Sequence, residues 1–361
     1  MARCRIPASD ACRMLPCGRV VRAVTIILAL WAAGLGPLAH AGQPRQRGWE
    51  GATRYYTSAY FWTADAGVIA DTQDIVVTRD GGATWTLVLS VYSDRPGLGI
   101  MGRLHTLTPQ FWWFEDSGYL WRTTDQGQTW ASQRLANAGQ TVFVSPTEAW
   151  AIRTPRAALT HTQDGGRTWQ SVPLPGINTR RLPIQRLAFI SPQVGWAVLS
   201  MGNICRTMDG GRTWSLMGQV PSSPIQAVFS DAQNGFALDL VNAPKTYWTR
   251  DGGATWAPGQ LPPLPDKLPL QGLYALDSLT AWAVGTRGTI LRTTDGGATW
   301  RAQPSGVRNG LQAIHFVDKQ HGWAVGELNL ILNTADGGET WTRVEDDLKD
   351  WLKTWLKERQ P

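Results

Sequence analysis

Seven copies of one eight-residue pattern, Thr-x-Asp-x-Gly-x-Thr-Trp, constrain this chain more than any other feature. They occupy residues 78–85 (TRDGGATW), 123–130 (TTDQGQTW), 162–169 (TQDGGRTW), 207–214 (TMDGGRTW), 249–256 (TRDGGATW), 293–300 (TTDGGATW) and 334–341 (TADGGETW). The closing tryptophans lie 45, 39, 45, 42, 44 and 41 residues apart. A period of roughly 40 to 45 residues with several strands per unit is the signature of a propeller blade. Each letter has a physical reason. The Asp accepts hydrogen bonds from backbone N–H groups that follow it and closes a tight turn. The Gly at the fifth position takes a backbone conformation that a Cβ would penalise. The two Thr flank the turn in successive strands, and the Trp is a wedge between blades. Asp80, Asp125, Asp164, Asp209, Asp251, Asp295 and Asp336 are therefore structural, because seven copies of a catalytic or metal-binding aspartate have no chemical use.

Between the boxes a second pattern recurs. GWAV at 195–198 and 322–325, AWAV at 281–284, AWAI at 149–152 and GFAL at 235–238 mark second strands, and FWWF at 111–114 fills that place in the second unit. These aromatics belong to the core. A sugar-stacking role for Trp112 or Trp113 is the less favoured alternative. In the last unit the alternation divides into strands at 311–317, 322–325, 330–334 and 340–344. The first unit divides at 55–62, 67–70 and 75–78. The expectation is an all-β, seven-bladed propeller of four-stranded blades over residues 42–344, with 48–52 the candidate for a strand borrowed from the other terminus to close the ring. High counts of Gly (38), Pro (22) and Trp (20) in 361 residues agree with many short strands and tight turns.

Residues 1–41 read as an export signal. Arg13, Arg19 and Arg22 precede the apolar run 24–33, and Ala39-His40-Ala41 offers a cleavage site, with Met1 or Met14 as the start. An uncleaved anchor is the alternative. The net charge of +6 shrinks once this segment leaves, since it holds five arginines and one aspartate; the remaining 29 bases and 27 acids leave about +2, which is no argument for nucleic-acid binding. Cys4, Cys12 and Cys17 go with the signal, and Cys205 alone forms no internal disulfide, so packing must hold the fold. At the other end, Leu348, Trp351, Leu352, Trp355 and Leu356 in 345–361 mark one face of an amphipathic helix, docked on the propeller or at a partner or membrane surface.

In a four-stranded blade the box turns share a face with the first-to-second strand turns. The other face carries the second-to-third turns and the links between blades, where function concentrates. Bases gather there: Arg180, Arg181 and Arg186 in one link, Arg95, Arg103, Lys267 and Arg308 in others, and Arg153, Arg156, Lys245 and Arg287 in second-to-third turns. The acids placed there are Asp71, Asp74, Asp94, Glu115, Asp116, Asp239, Asp266 and Glu327. Such a basic face suits an acidic protein segment; a solvated scatter of arginines is the bland alternative. The five His show no metal-ligand spacing, and no phosphate loop or nucleophile elbow is present, so no cofactor or metal is expected.

The units WAVGTRGTILRTTDGGATW (282–300) and GWAVGELNLILNTADGGETW (322–341) resemble the photosystem II stability/assembly factor family of Asp-box propellers, and the resemblance spans residues 50–345. It implies an exported, non-enzymatic propeller that binds a membrane-protein subunit or a newly exported segment, with an arginine patch implicated; a monomer in the periplasm is the expectation. Arg180, Arg181 and Arg186 are the arginines offered for that part, with Arg153, Arg156, Arg287 and Arg308 around them. Asp-boxes also occur in sialidases, so the alternative is an exported sialidase-like glycosidase or glycan-binding propeller. The Phe/Tyr-Arg-Ile-Pro signature of sialidases is absent ahead of the first box, and 181–183 (RLP) is the nearest string. Asp239, Asp266 and Glu327 are the carboxylates available for two-carboxylate hydrolysis on the channel side.

Overall fold

The structure is a computed structural model that describes residues 54–91, 102–116, 118–135, 138–153, 158–174, 176–222, 225–239, 244–264 and 269–344. The leader 1–41, the segment 48–52 and the tail 345–361 lie outside these residues, as do Asp94, Arg95, Arg156, Asp266 and Lys267.

The described chain forms seven four-stranded antiparallel sheets, each built from consecutive strands. The first strands are Ser58–Phe61, Arg103–Thr106, Ala138–Phe143, Ile184–Phe189, Ile225–Phe229, Leu270–Ala275 and Leu311–Phe316. Residues of all seven line one central cavity, so the first strand of every blade is innermost. The second strands are the most buried: Gly195–Leu199, Gly235–Asp239, Ala281–Gly285 and Gly322–Gly326 are buried along their whole length. Phe111, Trp112, Trp113 and Phe114 are buried too, so none of them offers a face to a sugar. Cys205 packs in blade 4, where burial pushes its thiol up to about 12.

Each box closes the same way. In the first, the Thr78 hydroxyl donates to Asp80 Oδ1 at 2.8 Å and accepts from Gly82 N at 2.8 Å. Asp80 then accepts Thr84 N at 2.8 Å and the Thr84 hydroxyl at 2.5 Å. Two threonine hydroxyls and an amide thus saturate one carboxylate. They also hold its acidity: the Thr213 hydroxyl and then the Thr213 N–H pull Asp209 down to about 2. A depressed carboxylate stabilises the fold above its unfolded value near 4 and loses that contribution as pH falls toward 2. The fourth box residue, not only the fifth, sits in the left-handed region, as at Gly81 (φ 73°) and Gly82 (φ 99°). Its N–H reaches across to the first-to-second strand turn of the same blade, as Gly81 N donates to Asp65 O at 2.8 Å and Gly337 N to Gln320 O at 2.8 Å. Because Thr340 is occupied in this turn, the fourth strand of blade 7 is only Thr342–Arg343, shorter than the expected 340–344.

Neighbouring blades meet through aromatic pairs. Phe316 of blade 7 stacks on Trp282 of blade 6 at 3.6 Å and 9°, and Phe229 stacks on Trp196 of blade 4 at 3.8 Å and 2°. The box tryptophan of the same blade meets that Phe edge-on, Trp341 to Phe316 at 86° and Trp256 to Phe229 at 73°. The wedge read from the repeat is thus one member of a three-ring contact. Ring closure uses the same device. Phe61 of blade 1 stacks on Trp323 of blade 7 at 3.7 Å and 4°, with Trp85 edge-on. Tyr56 N donates to Gly326 O at 3.1 Å and Tyr55 bridges Glu327, so 55–56 serve the seam and the first strand begins at Ser58.

Candidate functional site

The face opposite the boxes sorts its charges by exposure. Arg180 and Arg181 are exposed on the link between blades 3 and 4. Asn178 builds their turn: its side chain accepts Arg180 N at 3.1 Å and its carbonyl accepts Arg181 N and Leu182 N at 2.9 Å. Arg308, Lys245 and Arg287 are exposed as well. Arg287 stands at φ 52° in the second-to-third turn of blade 6, a left-handed position that glycine fills more cheaply. The acids behave differently. Asp71 and Asp74 are buried beside Arg54, at 3.8 and 3.2 Å from its Nη1. Asp239 is buried and accepts the Ser222 hydroxyl. Glu327 accepts Gly310 N at 3.1 Å. On the box face, by contrast, Asp65, Asp231, Asp277 and Asp318 join the box aspartates in the turns, although Arg79, Arg167, Arg212 and Arg250 sit between them.

Three of the expected loop arginines lie in strands instead. Arg153 ends the second strand of blade 3, half-buried with its guanidinium 4.9 Å from the centre of the Trp169 ring. Arg186 lies within the first strand of blade 4, and Arg103 within that of blade 2, and both line the central cavity. A bulge between Ile184 and Arg186 shifts the pleat there, which link-length reasoning does not foresee.

The cavity has a volume of about 320 Å³ and is lined by polar side chains of the innermost strands, among them Tyr60, Arg103, His105, Arg186, Tyr274 and His315. Its lining includes no Asp or Glu, so neither Asp239 nor Glu327 occupies the channel position expected of them. An innermost strand is an edge strand whose outer N–H and C=O groups need partners. The preceding blade supplies many of them. Gln140 of blade 3 donates to Leu187 O at 3.1 Å and accepts Leu187 N at 2.8 Å. Tyr274 OH donates to Phe316 O at 2.7 Å, and His315 Nδ1 accepts Phe61 N at 3.3 Å. Trp113 Nε1 donates to Thr141 O at 3.0 Å, while Glu115 accepts Thr141 N. Burial, then the charges of Arg103 and Arg186, hold His105 down to about 3; burial holds His315 down to about 4. Burial lifts Glu115 to about 8 against the Thr141 hydrogen bonds. Burial and then Arg103 lower Arg186 to about 10. At neutral pH the charges of the lining are those of the two arginines.

Matches to the family model described as photosynthesis system II assembly factor YCF48 cover residues 111–215, 176–307 and 264–353. The chain belongs to the YCF48 family. The photosystem II assembly lipoprotein Ycf48 of Synechococcus sp. (strain CC9902) is 22% identical over 234 residues, which cover 63% of this chain and 69% of that protein. A solved structure of YCF48 bound to a D1 peptide aligns with TM-score 0.59 at 19% identity, over 79% of this chain and 93% of that one. YCF48 from Cyanidioschyzon merolae aligns with TM-score 0.58 at 19% identity, over 78% and 95%. For this YCF48-family chain the matched stretch includes Arg180, Arg181, Arg186, Arg287 and Arg308, while Arg103 precedes it.

The polar channel of this YCF48-family propeller escaped the sequence reading, which placed Arg103 and Arg186 in loops. A signal for it exists. Glutamine recurs near the start of the innermost strands, at Gln140, Gln185, Gln226, Gln271 and Gln312, three or four residues ahead of the Phe or Ala that ends the strand, and Gln140, Gln226 and Gln312 line the cavity. Polar residues in strands without a solvent face mark a lumen.

Proposed function

We propose that this chain is an exported, non-enzymatic assembly propeller that holds an acidic segment of a membrane-protein subunit on the face opposite its boxes. In this reading the leader 1–41 directs export, and the amphipathic pattern of 345–361 suits a membrane surface. One observation carries the reading: on that face Arg180, Arg181, Lys245, Arg287 and Arg308 are exposed, whereas Asp71, Asp74 and Asp239 are buried and Glu327 is tied to backbone. Exposed cations steer and hold an anionic partner. That a YCF48 was solved bound to a D1 peptide supports a D1-type peptide segment as the partner class.

The test is the affinity of the mature protein for a labelled D1 peptide, measured by anisotropy in low salt. Reversing Arg180, Arg181 and Arg308 to Glu weakens binding at least tenfold, which corresponds to about 1.4 kcal/mol, and binding falls with added salt. The melting temperature stays within a degree or two, since these side chains are exposed. Undiminished affinity in the reversed protein removes the basic face from the function.

A further inference from the structure

The central channel contains a charge arrangement that the external face does not explain. Arg103 of blade 2 and Arg186 of blade 4 line one cavity of about 320 Å³, flanking the Gln140 of blade 3. Among the described residues neither guanidinium forms an ion pair. The nearby carboxyl, Glu115, is spent on Thr141 N and is not among the lining residues. Gln140 is also spent, with both ends of its amide on the Leu187 backbone. Two like charges therefore line one polar channel, and the Arg103 charge, after burial, lowers Arg186 as a cation. Glu115 stands opposite Arg103 across the first two strands of blade 2, but burial lifts it to about 8 even with Arg103 lowering it, and among the described residues no carboxylate pairs with Arg186.

The rest of the wall fits an anion. His315 accepts Phe61 N at Nδ1, so the neutral imidazole carries its proton on Nε2 and remains a donor. The other groups near Arg103 and Arg186 are Tyr60, His105, the neutral amides and, behind the lining, Glu115, which burial lifts to about 8. Guanidiniums prefer planar or tetrahedral oxyanions that take two parallel N–H bonds. The volume lies at the small end of ligand cavities. We propose that the central channel is a binding site for a small dianion, a dicarboxylate or a phosphate-type group, clasped between the Arg103 and Arg186 guanidiniums.

The experiment is thermal unfolding of the mature protein titrated with succinate, with inorganic phosphate and with sodium chloride at matched ionic strength. A saturable rise of about 3 °C or more with succinate or phosphate, absent with chloride, is expected for a site filled far above its dissociation constant. Succinate alone identifies a dicarboxylate; phosphate alone identifies a phosphate-type group. Arg103→Gln and Arg186→Gln each abolish the rise. Without any anion these variants melt at or above the wild-type temperature, because a like-charge contact is gone; a purely structural arginine would instead lower it. Arg103→Lys keeps the charge, loses the paired donors and gives a midpoint concentration at least tenfold higher. The protein reversed at Arg180, Arg181 and Arg308 keeps the response, which separates this site from client binding. No rise beyond the chloride control, or a rise retained in both glutamine variants, overturns the proposal.

Discussion

At the scale of single residues, the box shows how a carboxylate can be structural and exposed at once. Asp336 accepts Thr340 N at 2.9 Å and the Thr340 hydroxyl at 2.6 Å, while the Thr334 hydroxyl donates to it at 2.8 Å. Its chemistry is consumed inside the turn. The second box departs at one position. Gln126 occupies φ 61°, where the other six boxes place glycine between φ 70° and 77°–78°. A side chain in the left-handed region costs about 1–2 kcal/mol, against about 0.5–1 kcal/mol for the extra freedom of an unfolded glycine. Gln126→Gly is therefore expected to stabilise the protein by about 0.5–1 kcal/mol, read as a higher melting temperature. The reciprocal change, Gly81→Gln, lowers it by a similar amount, since its Cβ makes ordinary contacts with Ala64 O at 3.4 Å and Asp65 Oδ1 at 4.0 Å and the backbone cost dominates.

At the scale of the blade, the first and second strands share a size code. In blade 7 Phe316 pairs with Gly322, and a Cβ on Gly322 would sit 2.4 Å from the Phe316 ring. Phe61 with Gly67, Phe189 with Gly195 and Phe229 with Gly235 repeat it. Blade 6 pairs Ala275 with Ala281 instead, trading the ring for two methyl groups. Blade 3 pairs Phe143 with Ala149, and there Phe143 packs against Phe111 and Trp113 of blade 2. The glycine of the GWAV motif thus makes room for a neighbour's ring. Phe316→Ala should cost about 3–5 kcal/mol by emptying the contact with Trp282. Gly322→Ala should cost about 1–3 kcal/mol by overpacking. The double variant reproduces blade 6, so its loss should fall short of the sum by about 1 kcal/mol or more in urea unfolding. Simple additivity would refute the size code.

At the scale of the whole molecule, the ring is held where its ends meet. Phe61 on Trp323 buries the seam, and Arg54 reaches Asp74 at 3.2 Å while Asn329 Oδ1 accepts Arg54 N at 3.0 Å. Burial, then Asp71, lift Asp74 to about 6 even with Arg54 lowering it. An acid raised above its unfolded value binds extra protons in the folded state, so the fold gains stability as pH drops through 6 toward 4. Arg54→Met leaves buried carboxylates without their cation and should cost about 3 kcal/mol at pH 8. At pH 5 Asp74 takes up a proton and the loss should shrink by more than half. Equal losses at pH 8 and pH 5 would place the effect in packing alone.

What the sequence determined by itself was the periodic part. Seven boxes state the blade number, because the turn chemistry is local and each Asp finds its Thr partners within four residues. GWAV and its variants state which strands are buried, since period-2 alternation is lost when both faces are covered. The Asp-box placement, the family and the buried Cys205 were legible for the same reason. Tertiary structure alone decided the site. Exposure separates Arg181 from Arg186 five residues on, and that difference comes from a bulge and from curvature of the ring, which no local pattern encodes. Neutralisation of the acids on the basic face depends on contacts such as Arg54 with Asp74 and Glu115 with Thr141 N, made between residues 20 and 26 positions apart. The channel exists only when seven first strands converge, and the meeting of Arg103 with Arg186 across blade 3 is a consequence of that closure.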